Sequence, residues 1–129
     1  MRRGFGLVML VVAAITLSGL VATAAGAAGP VTTPTGNVSV RKDFWPLFSY
    51  VIGDADSARA KTTIVVARRN GTEVARFAVR WQRTNRVVRV PMLFWRADLP
   101  RGVYSWRVLA RDENGERQRR AVPARLTVW

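Results

Sequence analysis

The sequence contains neither cysteine nor histidine. Without cysteine no disulfide can staple the fold, so a packed core has to hold it alone. Without either residue, Ser/His/Asp and Cys/His nucleophilic sites are excluded, as are the usual ligands for zinc and copper. Acidic residues are scarce too, with eight Asp and Glu against 21 Lys and Arg. A glycosidase-type carboxylate pair would have to be drawn from those eight. Asp112, Glu113 and Glu116 fall in or beside a turn sequence, where solvated acids are expected. Asp54-Ala55-Asp56 offers oxygen ligands at alternate positions, half of a calcium loop. It lacks the further ligands and the glycine of such a loop, and its plain reading is a solvated turn. No Gly-rich phosphate loop is present. These absences leave no catalytic residue, metal site or cofactor to assign, and they predict a protein without enzymatic activity.

Lysine is also rare: Lys42 and Lys61 are the only two, and arginine supplies the rest of a net charge of +13. Arginine grips carboxylates and phosphates in a bidentate fork and keeps its charge at any physiological pH. Two readings stand side by side. The arginines form a surface for anionic polymers, or they reflect the Arg-, Ala- and Val-rich coding of a GC-rich genome.

The N-terminus has its own character. Arg2 and Arg3 precede an uncharged apolar run from Leu7 to about Leu17, and small residues then converge on Ala22-Thr23-Ala24 and Ala25-Gly26-Ala27. A cationic start, a short apolar core and an A-x-A exit predict a signal peptide over residues 1–27. The general secretory route fits better than the twin-arginine route. The alternative is an uncleaved anchor, because the uncharged stretch 7–28 is long enough to span a bilayer. No cysteine stands at the cleavage site, which excludes a lipoprotein anchor. The predicted location is the cell envelope or the exterior.

Cleavage before Ala28 leaves enough chain for one compact domain. Residues 28–37, with Pro30, Pro34 and repeated Thr and Gly, read as a flexible linker. From Val38 to Trp129 apolar residues recur with period two, broken about every ten residues by turn chemistry, the pattern of a single antiparallel all-β sandwich of about seven strands. The clearest element is a hairpin at Asn70-Gly71, a dipeptide suited to the positive φ of a tight turn. Pairing Arg69 with Thr72 sets Val66 opposite Ala75, Ile64 opposite Phe77 and Thr62 opposite Val79 on the core face. Val65–Arg76, Thr63–Ala78 and Lys61–Arg80 then face outward, and Arg68 faces Glu73. Tyr104, Trp106, Val108 and Ala110 form a second inward set, and Phe48, Tyr50 and Ile52 a third. Val88, Val90 and Met92 make a weaker set. Val122, Ala124, Leu126 and Val128 complete the pattern, with Pro123 pointing to an edge strand. Five Trp and five Phe supply a large apolar area. Trp106, and Trp81 in phase with Phe77 and Val79, read as core.

Two stretches together resemble a known module. Thr62-Thr63-Ile64-Val65-Val66-Ala67-Arg68-Arg69-Asn70-Gly71-Thr72-Glu73-Val74 gives a strand and hairpin. Leu99-Pro100-Arg101-Gly102-Val103-Tyr104-Ser105-Trp106-Arg107-Val108-Leu109-Ala110-Arg111-Asp112-Glu113-Asn114-Gly115 follows it. The pair is similar to the bacterial immunoglobulin-like modules, which carry "L-P-x-G-x-Y-x-x-x-V-x-A-x-D-x-x-G". Flagellar hook-capping proteins and fibronectin type III-like modules of secreted proteins contain such domains. The resemblance covers about residues 44–129. It implies an immunoglobulin-like sandwich with Tyr104 as a corner tyrosine, and a role as spacer, adhesion unit or accessory domain rather than a defined activity. The chain departs from the pattern in having one module and in being unusually basic.

Two sets of candidate binding residues emerge. Arg76 and Arg80 on the outer side of the hairpin, with Arg107 and Arg111 on the outer side of the 103–111 strand, share one surface if those strands share a sheet. Such a surface suits anionic ligands such as cell-wall polymer, acidic glycan or phospholipid head groups. Nucleic acid is the least suited, since no aromatic ladder for stacking can be identified. Trp45, Trp95 and Trp129 are not fixed by periodicity and, if exposed, offer a sugar-stacking platform. The expected function is an exported, non-enzymatic binding or structural module. The alternatives are a carbohydrate- or wall-polymer-binding protein, or an accessory or inhibitor subunit of an exported enzyme.

Overall fold

The computed structural model describes residues 29–93 and 95–129. The signal segment expected over residues 1–27 lies outside them. The described residues form nine strands and no helix. They are β1 (Val31–Pro34), β2 (Val38–Val40), β3 (Leu47–Gly53), β4 (Arg59–Ala67) and β5 (Glu73–Arg83). Then follow β6 (Val87–Pro91), β7 (Gly102–Asp112), β8 (Arg120–Ala121) and β9 (Ala124–Val128). The chain is all-β with two mixed sheets, a five-stranded one ordered β2-β9-β7-β4-β5 and a four-stranded one ordered β6-β3-β1-β8. The sheets are not purely antiparallel as expected, because the short strands β2 and β8 pair parallel, β2 with β9 and β8 with β1.

The inner faces meet in one core. Phe48, Tyr50 and Ile52 of β3 are buried, as are Ile64 and Val66 of β4 and Tyr104, Trp106 and Val108 of β7. Period two along each strand sends these sets to one side. Phe48 meets Trp106 across the core with ring centroids 4.8 Å apart. The polar atoms brought along are mostly satisfied. The Tyr50 and Thr62 hydroxyls share a 2.8 Å hydrogen bond between the sheets, and Thr32 Oγ1 donates to the Val108 carbonyl. Burial pushes the Tyr50 hydroxyl up to about 12, and the bond to Thr62 offsets this only in part.

Five further expectations need correction. Residues 31–34 are not linker. Thr32 is an inward residue with no exposure, and β1 is held between β3 and β8. Two prolines and three threonines hid a strand of only four residues, too short to show a period. The strands number nine rather than seven because β2 and β8 are shorter still. Pro123 does not mark an edge strand. It stands just before β9, which pairs with β2 on one side and β7 on the other.

The hairpin keeps the expected register from Thr62–Val79 to Val66–Ala75 and departs from it at both ends. At the tip, the Arg68 carbonyl accepts from the Gly71 N–H at 2.9 Å, and the Arg68 N–H donates to the Thr72 carbonyl at 2.8 Å. The loop is therefore a turn closed by a glycine in the left-handed region (φ 91°), with Arg68 rather than Arg69 opposite Thr72. One residue is taken up as a bulge, so Glu73 pairs with Ala67 instead of Arg68. At the far end a second bulge takes up Arg80, so that Lys61 faces Trp81. The bulge moves Trp81 out of phase with Phe77 and Val79, and the indole expected in the core is 38% exposed on the outer face.

Candidate binding face

The outer side of β5-β4-β7 is where the basic residues gather. Val65 pairs with Arg76 on one side and Arg107 on the other, so these two arginines flank it in one row. Neighbouring strands lie about 4.8 Å apart, which puts the two Cα atoms about 10 Å from each other. Four residues down the strand, about 13 Å away, Lys61 sits between Trp81 and Arg111. Arg59 pairs with Arg83 one step further. The face between the rows is floored by Thr63, Ala78 and Leu109. Val65 is only 1% exposed although it points outward, as expected where long basic stems lie over an apolar floor.

The basic groups are not equivalent. Arg76 grips Glu73 in a fork, with Nε and Nη2 at 2.9 and 2.8 Å from its two oxygens. That bond holds the Glu73 carboxyl below its usual range, and the charges of Arg76 and Arg107 add to the effect. Arg59 lies 3.4 Å from a Glu113 oxygen. Desolvation pushes the Glu113 carboxyl up, but hydrogen bonds from Ser57, Ala58 and Arg59 outweigh it and leave the group lowered. Lys61, Arg83, Arg107 and Arg111 have no acidic partner among the described residues. Arg111 donates to the Gly115 carbonyl at 2.9 Å, which orients its guanidinium without neutralising it. A shallow groove of about 430 Å³ runs between Lys61, Arg76, Arg111 and Arg117.

Trp81 completes this surface. The Arg59 guanidinium and the Lys61 ammonium each lie 5.4 Å from its ring centroid, within reach of the negative π face.

Of the four arginines singled out from the sequence, Arg76, Arg107 and Arg111 are brought together on one sheet face. Arg80 is the extra residue of the bulge and leaves its expected place opposite Lys61 to Trp81. Sequence reasoning missed Lys61, Arg59 and Trp81 as part of this surface. Alternation alone puts Arg59 and Lys61 in phase with Thr63 and Val65, so those two were findable; Trp81 was not, because nothing local marks the bulge. The three tryptophans fare differently. Trp45 is 47% and Trp129 58% exposed, whereas Trp95 meets Phe77 at a tilt, with ring centroids 4.6 Å apart, and packs against the core.

A depression of about 790 Å³ lies at the end of the sandwich formed by residues 54–59 and 83–86. Several of its polar groups are engaged with one another. Asn85 Oδ1 accepts from the Asp54 N–H at 3.0 Å and its Nδ2 donates to the Asp54 carbonyl at 2.6 Å. Thr84 Oγ1 donates to the Ser57 carbonyl. Here the structure corrects two expectations of solvated acids: Asp54 is 7% and Asp112 2% exposed. Their second carboxylate oxygens are buried without a hydrogen-bond partner. Among the described residues no three acidic side chains gather as a metal site would require.

No protein-family model matches the chain, and no curated protein matches it either.

Proposed function

We propose that this chain is an exported, non-enzymatic module of the immunoglobulin-like type, which binds an anionic polymer of the cell envelope through the outer face of its five-stranded sheet. The observation that carries the reading is the pair of rows Arg76–Val65–Arg107 and Trp81–Lys61–Arg111, whose cations share one face. Repeated fixed charges at spacings of about 10–13 Å suit a ligand that repeats its own charges, because each contact is weak and many act together. The strand order supports the immunoglobulin-like reading, with the N-terminal chain pairing first into one sheet (β1) and then into the other (β2). The Tyr104 hydroxyl supports it too, donating to the Pro100 carbonyl four residues upstream at 2.6 Å in the manner of a corner tyrosine. Export rests on the N-terminal sequence, and the absence of enzymatic activity on the missing histidine and cysteine and the few acidic residues.

Retention of the full chain on purified cell-wall fractions across a NaCl series tests the reading. Retention should fall steeply as salt rises from about 0.05 to about 0.5 M, where the screening length shrinks to a few ångströms. Joint replacement Lys61→Gln, Arg107→Gln and Arg111→Gln should lower low-salt retention at least about tenfold, since each lost contact is worth a fraction of a kcal/mol to about 1 kcal/mol. Retention that survives high salt would move the ligand to the exposed Trp45 and Trp129 and a neutral sugar. No retention at all would overturn the polymer reading and leave a structural or accessory role.

A further inference from the structure

The sandwich has a second unusual surface, at the end away from Asp54. Residues 41–46, the hairpin tip 68–72, residues 92–93 and 95–101, and Trp129 meet there. Among the described residues most of the exposed large apolar side chains cluster at this end: Phe44 at 49%, Trp45 at 47%, Leu47 at 50%, Leu93 at 72% and Trp129 at 58%. A soluble domain rarely exposes so many large apolar groups in one region without a use for them.

The loops that carry them are fixed to one another. The Asp43 N–H donates to the Ala97 carbonyl at 3.0 Å, and the Ala97 N–H returns a bond to the Phe44 carbonyl at 2.8 Å. The Met92 N–H donates to the Pro46 carbonyl at 3.0 Å, and the Lys42 N–H to the carbonyl of Trp129 at 2.8 Å. The apolar side chains thus project from a stapled platform. Cations stand among them: the Arg41 guanidinium lies 5.2 Å from the Phe44 ring centroid and that of Arg96 lies 4.9 Å from the Trp45 centroid. Arg68, Arg69 and Arg101 lie in the same loops, against Asp43 and Asp98, the latter taken by Lys42 at 3.5 Å.

We infer that this end docks on the surface of an anionic lipid bilayer. Aromatic rings and leucines exposed at one end of a domain can sink into the boundary between head groups and acyl chains, while arginines beside the rings reach back to the phosphates. A sugar ligand would use flat rings and leave Leu47 and Leu93 unexplained. The surplus of arginine at this end complements a negative membrane. The sheet face of the preceding proposal is a separate surface, and either can stand without the other.

The test is flotation of the exported protein with phosphatidylcholine vesicles, with and without phosphatidylglycerol, some carrying brominated acyl chains. Binding should require phosphatidylglycerol, and the brominated lipid should quench tryptophan emission by an amount that falls in Trp45→Phe. The double variant Leu47→Ser, Leu93→Ser should bind at least about tenfold more weakly, as withdrawing two exposed leucines implies. Both side chains are exposed, so it should melt within a few degrees of the parent. Arg107→Gln with Arg111→Gln should bind vesicles within about twofold of the parent. Vesicle binding that ignores the leucine variant, that vanishes only with the Arg107 and Arg111 variant, or that gives no quenching overturns the inference. The second of these outcomes would assign lipid to the sheet face and leave the cationic-surface reading intact.

Discussion

Asp54 and Asp112 bring two carboxyl groups into one buried corner, and only half of their oxygens are satisfied. Asp54 Oδ1 accepts from the Asp56 N–H, and Asp112 Oδ1 from the N–H groups of Asn114 and Glu116, all at 2.9 Å. The Oδ2 atoms have no partner. Burial raises the Asp54 carboxyl above its ordinary range, against the pull of the Asp56 N–H; a side-chain hydrogen bond with Asp112, which a proton on Asp54 supplies, and the Asp112 and Asp56 charges raise it further. The folded protein therefore holds a proton on this group more tightly than the unfolded chain does. The stability this contributes is complete below the unfolded pKa and is lost as pH rises through the folded one. Asp54→Asn keeps an oxygen for Asp56 and supplies an N–H that can donate to Asp112. It should stabilise the domain at pH 7 by about 1–2 kcal/mol, the cost of a buried unsatisfied acceptor. Thermal melts of both proteins between pH 4 and 8 check this. The gap should widen with pH, because Glu73 and Glu113 titrate alike in the two proteins and cancel in the difference. A variant that is less stable at every pH would mean that the pair is balanced by a group bound between them.

At the scale of the element, β5 decides what the outer face contains. Its first half obeys the register set by the apolar pattern, since Thr62–Val79 through Val66–Ala75 share one alternation and a slip would bury Arg76. Beyond Val79 the pattern carries no such penalty. Arg80, Trp81, Gln82 and Arg83 all tolerate the edge of a sheet, so the extra residue could be taken up there and Trp81 turned outward. That is why the core hairpin was readable from the sequence while the membership of the basic face was readable only in part. The same logic covers β1 and β8, too short for a period to appear, and the carboxyl pair, whose partners are 58 positions apart in the chain. Deleting Arg80 should leave Trp81 opposite Lys61 in an unbroken ladder. Stability should then change by less than about 1 kcal/mol, as for a surface change that breaks no buried contact. Acrylamide quenching of the tryptophan emission should stay at the parent level. A large loss of stability, or a less quenchable emission, would mean that the bulge itself sets the direction of Trp81.

For the whole molecule the excess of positive charge is a cost as well as a device. Lys61, Arg83, Arg107 and Arg111 stand on one sheet face without acidic partners, and further arginines crowd the loop end around Phe44 and Trp45. Charges of one sign held this close repel one another in the folded state and can separate in the unfolded one. The two exposed ion pairs on the face, Arg76–Glu73 and Arg59–Glu113, act in the opposite sense but are worth little at such exposure. Repulsion should therefore win. The melting temperature should rise as NaCl is increased from about 0.01 to about 0.5 M, where the Debye length falls well below the spacing of the rows. A long inorganic polyphosphate should raise it at low salt by binding the folded form, and the rise should disappear at high salt. Joint Lys61→Gln, Arg107→Gln and Arg111→Gln should raise the low-salt melting temperature and flatten both dependences together. If added NaCl instead lowered the melting temperature of the parent, the ion pairs would outweigh the repulsion. The basic face would then be a balanced surface rather than one left short of negative charge.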